Sequence, residues 1–491
     1  MLFKAESNGA VPNQRIPEKH SKLLAKNQLF GRVLSSGMQA VAVQVLGSVF
    51  FYFVSVYISK NDFGLISWMN AVCVLLTTFL GFGLEQVVVR RVAASKQSDW
   101  AATAFFAHSI AGFIITLLLL LLLRNQQGIY RYLPWFFAAQ GLAYLAVPLK
   151  QFLNAKERFT PYGIIALISN GGKIATAYLL QQNGMLNLNN IILVLTGFAG
   201  FELLCLFLYV ALKTTWSFKL HFKAYTRLIK EASAQYISVI FDTSLSRMDW
   251  ILMGFLASNA ALADYSFAYR AFELARLPML IIGPLILPRL ARLMTGKLSA
   301  QNEQQINDFA GVELFLAALI PLVLNVLWVP LVGVFTHGRY GATNATGFLL
   351  LSLCVPVQLF INLLWSISFS AKKYRQITTI TIVCALLNIG LNLVLIPVWG
   401  GVGAAVSFLL TTVLQGGMYY NLARKLINGV TLWPVFIFIA GAPAIYLFVS
   451  RINVHYVFQL VIAIGLYALL GILSRQLSRQ KTEGFKQFLT Q

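Results

Sequence analysis

Charged residues are scarce in this sequence, and acidic residues are the scarcest. Only 11% of the 491 residues are charged, with 16 Asp and Glu against 38 Lys and Arg, whereas a soluble domain carries about 25% charged residues. Apolar residues make up 58% of the chain. Apolar runs of about twenty residues, the length that crosses a bilayer, recur from Phe30 nearly to the end. The composition excludes a soluble protein with polar domain surfaces and predicts an integral membrane protein.

Catalytic signatures and long polar loops are also missing. The fragment NGGKIA around Lys173 lacks the upstream glycine and the following Ser or Thr of a phosphate-binding Walker A motif. The longest connection on the basic side runs only from Lys213 to about Glu231, so there is no room for a soluble catalytic domain. Membrane polymerases and ligases of surface glycans usually carry a large extracytoplasmic loop. We therefore expect a protein that is not an enzyme, with no catalytic residues, which disfavours a membrane glycosyltransferase or polymerase.

Metal ligands and a nucleic-acid-binding region are not indicated either. The four cysteines lie in apolar segments, form no CxxC pair and have no metal-ligand spacing, so we interpret them as small buried hydrophobic residues. The formal net charge of +22 is spread over eight short loops and forms no basic domain. We expect no cofactor, no metal and no nucleic-acid partner, and we attribute the basic loops to anionic lipid at the cytoplasmic face.

The sequence does contain many membrane-spanning segments, and we count fourteen. Runs such as IITLLLLLLL do not alternate as barrel strands do, so the spans are predicted to be helices. One set of connecting loops and tails holds 29 Lys and Arg, whereas the opposite set holds 5. Because basic loops stay in the cytoplasm, we expect a multi-pass protein of the cytoplasmic (inner) membrane with both termini cytoplasmic.

Two parts of the chain resemble each other. LNAKERFTPYGIIALISN at 153–170 resembles FSAKKYRQITTITIVCALLN at 369–388. A six-helix unit would then occur twice with the same orientation, a parallel repeat typical of transporters, although basic cytoplasmic turns alone could produce the likeness. The predicted organisation is a cytoplasmic tail 1–30, an N-lobe 31–212, a cytoplasmic linker 213–231, a C-lobe 232–422, two additional helices 431–474 and a cytoplasmic tail 475–491.

Eight charged residues lie deep inside predicted spans, four of each sign. A charge at the centre of a membrane helix costs about 2.5–3.5 kcal/mol, so eight unpaired charges would cost more than the ~5–15 kcal/mol that stabilises a typical protein. They must pair with one another or face water. They are Lys173, Glu202, Asp242, Arg247, Asp249, Arg270, Glu273 and Arg276.

Helix geometry predicts how these charges pair. The chain turns near residue 260, which places Asp249 level with Arg270 and Asp242 level with Arg276 in the bilayer. Arg247 has no obvious partner in this hairpin and is therefore the best candidate for a ligand contact. Two interpretations remain open, namely a set of ion pairs that only holds the helices together and a polar transport pathway.

Lys173 is the second candidate for a ligand contact. Glu202 on the following helix could be its partner, which would make Lys173 structural instead.

Several segments, taken in their order along the chain, resemble the Wzx-type polysaccharide or O-antigen flippases. These belong to the multidrug/oligosaccharidyl-lipid/polysaccharide (MOP) superfamily, which includes the MATE transporters. They are YISKNDFGLIS (57–67), LGFGLEQVVVRRVA (80–93), SRMDWILMGFLASNAALADYSFAYR (246–270), PLILPRLARL (284–293) and the long run from SAKKYRQ to AVSFLL (370–410). The segment ALADY departs from the family pattern, which often has a glycine before the aromatic residue.

This resemblance implies a MATE-like fold with two lobes and a central cavity. It implies outward movement of a polyprenyl-pyrophosphate-linked oligosaccharide for surface polysaccharide or lipopolysaccharide synthesis. By analogy with related lipid II flippases, the two C-terminal helices would form a groove for the lipid tail. Arginines suit a pyrophosphate because they bind phosphate bidentately.

The resemblance also suggests roles for the interior charges. The pyrophosphate-binding candidates are Arg247, Arg270, Arg276 and Lys173. The residues that would balance their charge, and couple transport to H⁺ or Na⁺, are Asp242, Asp249, Glu273 and Glu202. Further expected partners are membrane lipids and other glycan-assembly membrane proteins, and we expect a monomer.

Two transporter alternatives remain open, a MATE-type cation-coupled multidrug exporter and a lipid II flippase. A cavity for cationic drugs should carry negative charge, whereas the eight interior charges sum to zero and include three arginines. The sequence separates the lipid II flippase poorly from the oligosaccharide flippase. A scaffold for glycan enzymes that transports nothing is the remaining alternative.

Overall fold

The computed structural model describes residues 41–94, 99–122, 128–214, 216, 222–294, 299–427, 433–476, 478, 481, 483 and 484. The predicted tail 1–30, the first ten residues of the N-lobe and most of the tail 475–491 lie outside the described residues. The part that is described is helical and contains no β-strand. The chain is an all-α integral membrane protein.

The helices are defined in chain order. They are α1 Val41–Tyr57, α2 Lys60–Gly81, α3 Leu84–Ala94, α4 Trp100–Leu122, α5 Leu133–Leu145, α6 Val147–Ala155, α7 Phe159–Gln182, α8 Leu188–Lys213, α9 Phe222–Leu256, α10 Asn259–Ala275, α11 Leu277–Leu293, α12 Ala300–Leu327, α13 Gly333–Phe335, α14 Ala345–Ser370, α15 Tyr374–Ala423, α16 Trp433–Val449 and α17 Tyr456–Leu473.

The count of fourteen spans stays a prediction, and the helices of the described residues can be grouped to match it. Eight helices are long and apolar enough to cross a membrane singly. Two residues separate α2 from α3, and one residue separates α5 from α6 and α10 from α11, so each pair matches one predicted span. Helix α12 continues into α13 through a π-helical turn. The 50-residue α15 contains two spans, because Gly400 has φ 54° and bends the chain back between them. Only a residue without a Cβ adopts this backbone conformation without strain.

Burial distinguishes the central helices from those that face lipid. In the apolar window of α14, 72% of the residues are buried, compared with 17% in α4 and in α17. Helix α14 packs on α10, α11, α12 and α15, whereas α16 and α17 pack on α12. Large exposed residues such as Leu118, Leu193 and Val461 suit a surface that faces lipid chains. The last two spans therefore lie at the periphery.

The first six spans meet the next six along α2, which packs against α9 and α10. Gly64 of α2 lies directly against the backbone of Asn259, at the start of α10. The hydroxyl groups of Ser67 and Ser266 are hydrogen-bonded at 2.9 Å between the same helices. Near the same end, Lys60 forms an ion pair with Asp264 at 2.8 Å. At this predicted non-cytoplasmic end, the two helix groups are in close contact.

A loop from the second helix group extends this contact. The hydroxyl of Thr343 donates a hydrogen bond to the Asp264 carboxylate, and the Asn344 side chain donates to the Asp264 carbonyl at 3.1 Å. The Arg339 guanidinium donates to the carbonyl of Val56 at 2.8 Å. The loop therefore joins α1, α2 and α10 at one end of the molecule.

Candidate functional site

Two arginines share one carboxylate between α9 and α10. Glu273 accepts from Nη2 of Arg247 at 2.8 Å and from Nη1 of Arg270 at 2.7 Å. All three side chains are largely buried, with 15–19% of their surface exposed. These three groups together carry a charge of +1, whereas the interior charges of the hairpin sum to zero when Arg276, Asp242 and Asp249 are also ionised. An anion would therefore be attracted to the guanidinium groups locally.

Aromatic rings cover this cluster. The guanidinium of Arg247 lies 5.2 Å from the ring centre of Trp250 and 5.8 Å from that of Tyr269. The guanidinium of Arg270 lies 4.8 Å from the ring centre of Phe51, which belongs to α1. Cation–π contacts of this kind hold an arginine without using its N–H donors. The cluster thus contacts the first helix group through Phe51.

Three arginine side chains in this region retain a buried donor without a partner. The Nε atoms of Arg247, Arg270 and Arg276 are all buried and make no hydrogen bond within the described residues. An unmade hydrogen bond from a buried donor costs about 1–3 kcal/mol. The arrangement is therefore suited to an anionic ligand that accepts from arginine.

Arg276 and Asp242 line a cavity of about 250 Å³ within the second helix group. Arg276 occupies the break between α10 and α11, and the guanidinium lies 5.2 Å from the ring centre of Phe272. Asp242 is exposed to the cavity and forms no ion pair within the described residues. Asp242 and Arg276, which were predicted to lie at the same depth, line this one cavity and form no ion pair with each other or with another described residue.

Uncharged polar side chains complete the cavity wall. Gln358 and Asn362 project from α14, and Thr412 and Gln415 project from the second half of α15. The Gln358 Oε1 atom is buried and has no hydrogen-bond partner among the described residues. A lining of amides, hydroxyls and one charge of each sign is suited to a hydrated polar group or a small ion.

The depth of Asp249 in the bilayer predicted a contact with Arg270, but the structure does not show this contact. It is fully buried, and its carboxylate accepts from the hydroxyl of Tyr265 and from the backbone N–H of Trp250 at 2.8 Å. The predicted Asp249–Arg270 pair was wrong, because the guanidinium of Arg270 forms an ion pair with Glu273. Glu273 lies three residues after Arg270 on α10. Asp249 and Tyr265 instead join α9 to α10.

The other two interior charges, Lys173 and Glu202, lie on α7 and α8, outside the hairpin that carries the arginine cluster. Glu202 of α8 forms an ion pair with Lys150 of α6 at 2.6 Å, and not with Lys173. Lys173 of α7 is partly buried, and among the described residues its one hydrogen-bond contact is a long one of 3.5 Å to the side chain of Asn170. The alternative in which Glu202 pairs with Lys173 is not realised, because Glu202 pairs with Lys150 of α6, in a segment that was predicted to be a cytoplasmic loop.

The prediction that Arg247 lacks a partner in its own hairpin was also wrong. Arg247 lies 13 positions before the turn at residue 260, and Glu273 lies 13 positions after the turn. Equal distance from the turn places the two residues at the same depth, so the same reasoning indicates their contact. The cavity amides were missed because they carry no charge. A signal in the sequence is the spacing of Gln358 and Asn362, which lie four residues apart and therefore on one face of the apolar helix α14.

The site chemistry within the described residues is that of hydrogen bonding and charge. No group of three or more His, Cys, Asp or Glu there could hold a metal ion. What the residues provide is cationic N–H donors, one shared carboxylate and a polar cavity beside them. Such a set can bind an anion and change its charge balance, which is the chemistry of a transport pathway.

Comparison with solved structures gives the fold relatives. The chain is similar to a structure described as "Lipid II flippase MurJ, inward closed conformation", with 14% identity, a TM-score of 0.70 and coverage of 91% of this chain and 100% of that one. It is similar to the Vibrio cholerae MATE transporter VcmN in the bent form, with 14% identity, a TM-score of 0.55 and coverage of 81% and 98%. A MOP superfamily transporter from Pyrococcus furiosus has 10% identity, a TM-score of 0.58 and coverage of 82% and 97%.

Sequence comparison adds the family. No curated protein sequence gives a significant match. The family profile "Lipid II flippase MurJ" matches residues 132–480. The MOP superfamily and a transporter rather than an enzyme are thereby confirmed, whereas the Wzx-type subfamily that the motifs resemble is not. Because the profile covers more than half of the 491 residues, this multi-pass membrane protein belongs to the lipid II flippase MurJ family.

Proposed function

We propose that this protein flips a polyprenyl-pyrophosphate-linked saccharide precursor from the cytoplasmic to the outer leaflet of the cytoplasmic membrane by alternating access. The first candidate for the precursor is lipid II, because the chain belongs to the MurJ family. The second candidate is the oligosaccharide precursor of a surface polysaccharide, which the Wzx-like motifs favour. Both share the pyrophosphate and the polyprenyl chain.

The arginine cluster is the observation that supports this proposal. Arg247, Arg270 and Arg276 come from one helical hairpin, and each has a buried Nε donor that the described residues do not satisfy. A pyrophosphate offers several charged acceptor oxygens and would satisfy such donors with charge-assisted hydrogen bonds, which are worth about twice a neutral bond. A cationic drug would be repelled by the same groups.

The charge balance of the empty site would change when substrate binds. In the structure, Glu273 neutralises part of the charge on Arg247 and Arg270. A pyrophosphate that arrives at the hairpin would compete with this carboxylate for both guanidinium groups. Asp249 and Glu202 contact other partners, so we restrict the balancing role to Glu273 and Asp242.

Ion coupling follows from the same competition. Protonation of Asp242, or binding of a cation such as Na⁺ beside it, would leave more of the arginine charge available to the substrate. Lys173 lies on α7, outside the hairpin, and we retain it only as a contact along the pathway. We propose further that the two helix groups act as lobes and that both termini are cytoplasmic. The lipid tail of the substrate would occupy a groove between α16 and α17.

The test is a flipping assay with the full chain in proteoliposomes. Fluorescent lipid II is incorporated in both leaflets, and a membrane-impermeant reductant bleaches the outer population. We expect wild-type protein to expose the inner population. Arg276→Gln should slow this by about 10- to 100-fold, because it removes one charged hydrogen-bonding group worth about 1.5–3 kcal/mol.

Arg451→Gln is the matched control, since Arg451 is exposed at the predicted non-cytoplasmic end and should leave the rate unchanged. Flipping of an undecaprenyl-pyrophosphate oligosaccharide instead of lipid II would select the second precursor. Wild-type rates in Arg276→Gln would show that this arginine does not contact the substrate. Uptake of ethidium without movement of either lipid would reject the flippase in favour of a drug exporter.

A further inference from the structure

The C-terminal third of the chain has a charge pattern that the transport site does not use. No Asp or Glu occurs between Glu313 and Glu483. Within that interval, α15 begins and ends among basic residues, with Lys372, Lys373 and Arg375 at one end and Arg424 and Lys425 at the other. Because α15 turns back at Gly400, the two basic ends are brought to the same side of the membrane.

A groove lies between these two ends. It has a volume of about 550 Å³ and lies between the first turns of α15 and its last turns. Arg375 and Lys425 both line it and are both exposed. No carboxylate of the described residues is within ion-pair distance of either side chain. The groove therefore carries two cations that the described part of the protein does not neutralise.

The backbone adds to the positive potential of the groove. Lys373 precedes the first turn of α15 and provides no side-chain cap. The first N–H groups of a helix lack acceptors within the helix and carry part of the helix dipole, so they attract anions. The first N–H of α15 that donates to a carbonyl four residues earlier is that of Ile377, which donates to the Lys373 carbonyl at 3.1 Å. This end of α15 is thus cationic in both backbone and side chains.

The walls of the groove change character with depth. Gln376 and Asn421 provide amide donors near the basic end, whereas Ile380, Met418 and Leu422 form an apolar wall. A ligand that matches both parts has an anionic head and an apolar chain. Basic pockets between membrane helices at the cytoplasmic face are typical binding sites for anionic lipid head groups.

We propose that this groove, defined by Arg375, Gln376, Thr379, Ile380, Met418, Asn421, Leu422 and Lys425, binds an anionic glycerophospholipid of the surrounding leaflet. The lipid phosphate contacts Arg375, Lys425 and the start of α15, and an acyl chain follows the apolar wall. The groove is separate from the polar cavity, because Thr381 and Tyr419 of the same helices line that cavity instead. The proposal does not depend on which substrate is transported.

The test is lipid binding to the purified full chain, measured by native mass spectrometry. Dioleoyl phosphatidylglycerol is titrated beside dioleoyl phosphatidylcholine, which has the same chains and no net charge. We expect at least one phosphatidylglycerol to bind more tightly than any phosphatidylcholine. The double variant Arg375→Gln/Lys425→Gln should weaken its binding about 30-fold, since each basic residue near an anionic head group contributes about a fivefold factor, or ~1 kcal/mol.

Arg451→Gln is again the control, with a basic residue lost at the opposite end of the molecule and no change expected. If the double variant does not fold, Lys425→Gln alone should weaken binding about fivefold. Equal binding of the two lipids, or unchanged binding in the variants, would overturn the proposal. Displacement of phosphatidylglycerol by inorganic phosphate would assign the site to a soluble anion, and displacement by an equal concentration of undecaprenyl pyrophosphate would assign it to the transported lipid.

Discussion

A single methyl group at Gly64 is expected to separate the two helix groups at their predicted non-cytoplasmic end. A Cβ at this position would lie 2.6 Å from the carbonyl carbon of Asn259 and nearer still to its oxygen. Both are backbone atoms at the start of α10, so no side-chain rotation can relieve the clash. Gly64→Ala therefore acts on the distance between α2 and α10.

The size of the effect follows from these distances. Carbon atoms in contact are about 3.5–4.0 Å apart, so the two helices must move apart by about 1 Å. Overpacking of this kind costs about 1–3 kcal/mol, and the cost arises only while this end is closed. A penalty of 2 kcal/mol shifts the balance between closed and open states about 30-fold toward open.

The assay is cysteine accessibility at Ser266, which is fully buried and hydrogen-bonded to Ser67 across the same contact. Ser266→Cys is introduced into a chain whose four native cysteines are replaced by alanine. A membrane-impermeant maleimide is then added from the outside of intact cells. We expect slow labelling in the parent and labelling about 30-fold faster with Gly64→Ala, because the rate follows the open population.

Gly197→Ala is the matched control, since a Cβ there would meet no atom within 4 Å. It should leave the labelling rate at the parental value. Equal rates in Gly64→Ala and Gly197→Ala would refute the reasoning, because the contact at Asn259 would then not limit closure.

Three further predictions concern buried carboxylates. Glu273→Gln should lower the free energy of unfolding by about 3–5 kcal/mol, because two arginines lose their shared counter-charge. The loss should be measurable as a lower unfolding temperature in detergent. An unchanged unfolding temperature would show that the arginines are solvated. Glu313 is buried and its Oε2 has no partner among the described residues, so Glu313→Met should raise the unfolding temperature, and a fall would reveal an unrecognised contact. Lys150→Gln should destabilise the protein more than Lys173→Gln, since Lys150 is the residue paired with Glu202; the reverse order in the same melting experiment would contradict this pairing.

The helices of this protein could be predicted from the sequence because membrane helices satisfy their own backbone in apolar surroundings. Length and hydropathy therefore predicted helical spans with little influence from neighbours, and eight helices of the described residues are long and apolar enough to cross a membrane. Depth along a hairpin also predicted that Asp242 and Arg276 lie at one level, and both residues line one cavity. The same rule did not specify which of several charges at similar depth would pair.

Pairing was decided by rotation about the helix axes and by neighbours distant in sequence. Arg270 contacts Glu273 on its own helix and not Asp249, and Lys150 reaches Glu202 from a segment predicted to lie in a loop.

The sequence by itself determined the helical membrane fold, because hydropathy and loop charge act locally along the chain. Only the tertiary structure decided that Arg375 and Lys425, 50 positions apart, line one groove. It also decided that Arg247, Arg270 and Arg276 each have a buried Nε with no hydrogen-bond partner among the described residues. Such features depend on how helices turn back and face one another, and the periodicity of a single helix carries no information about that.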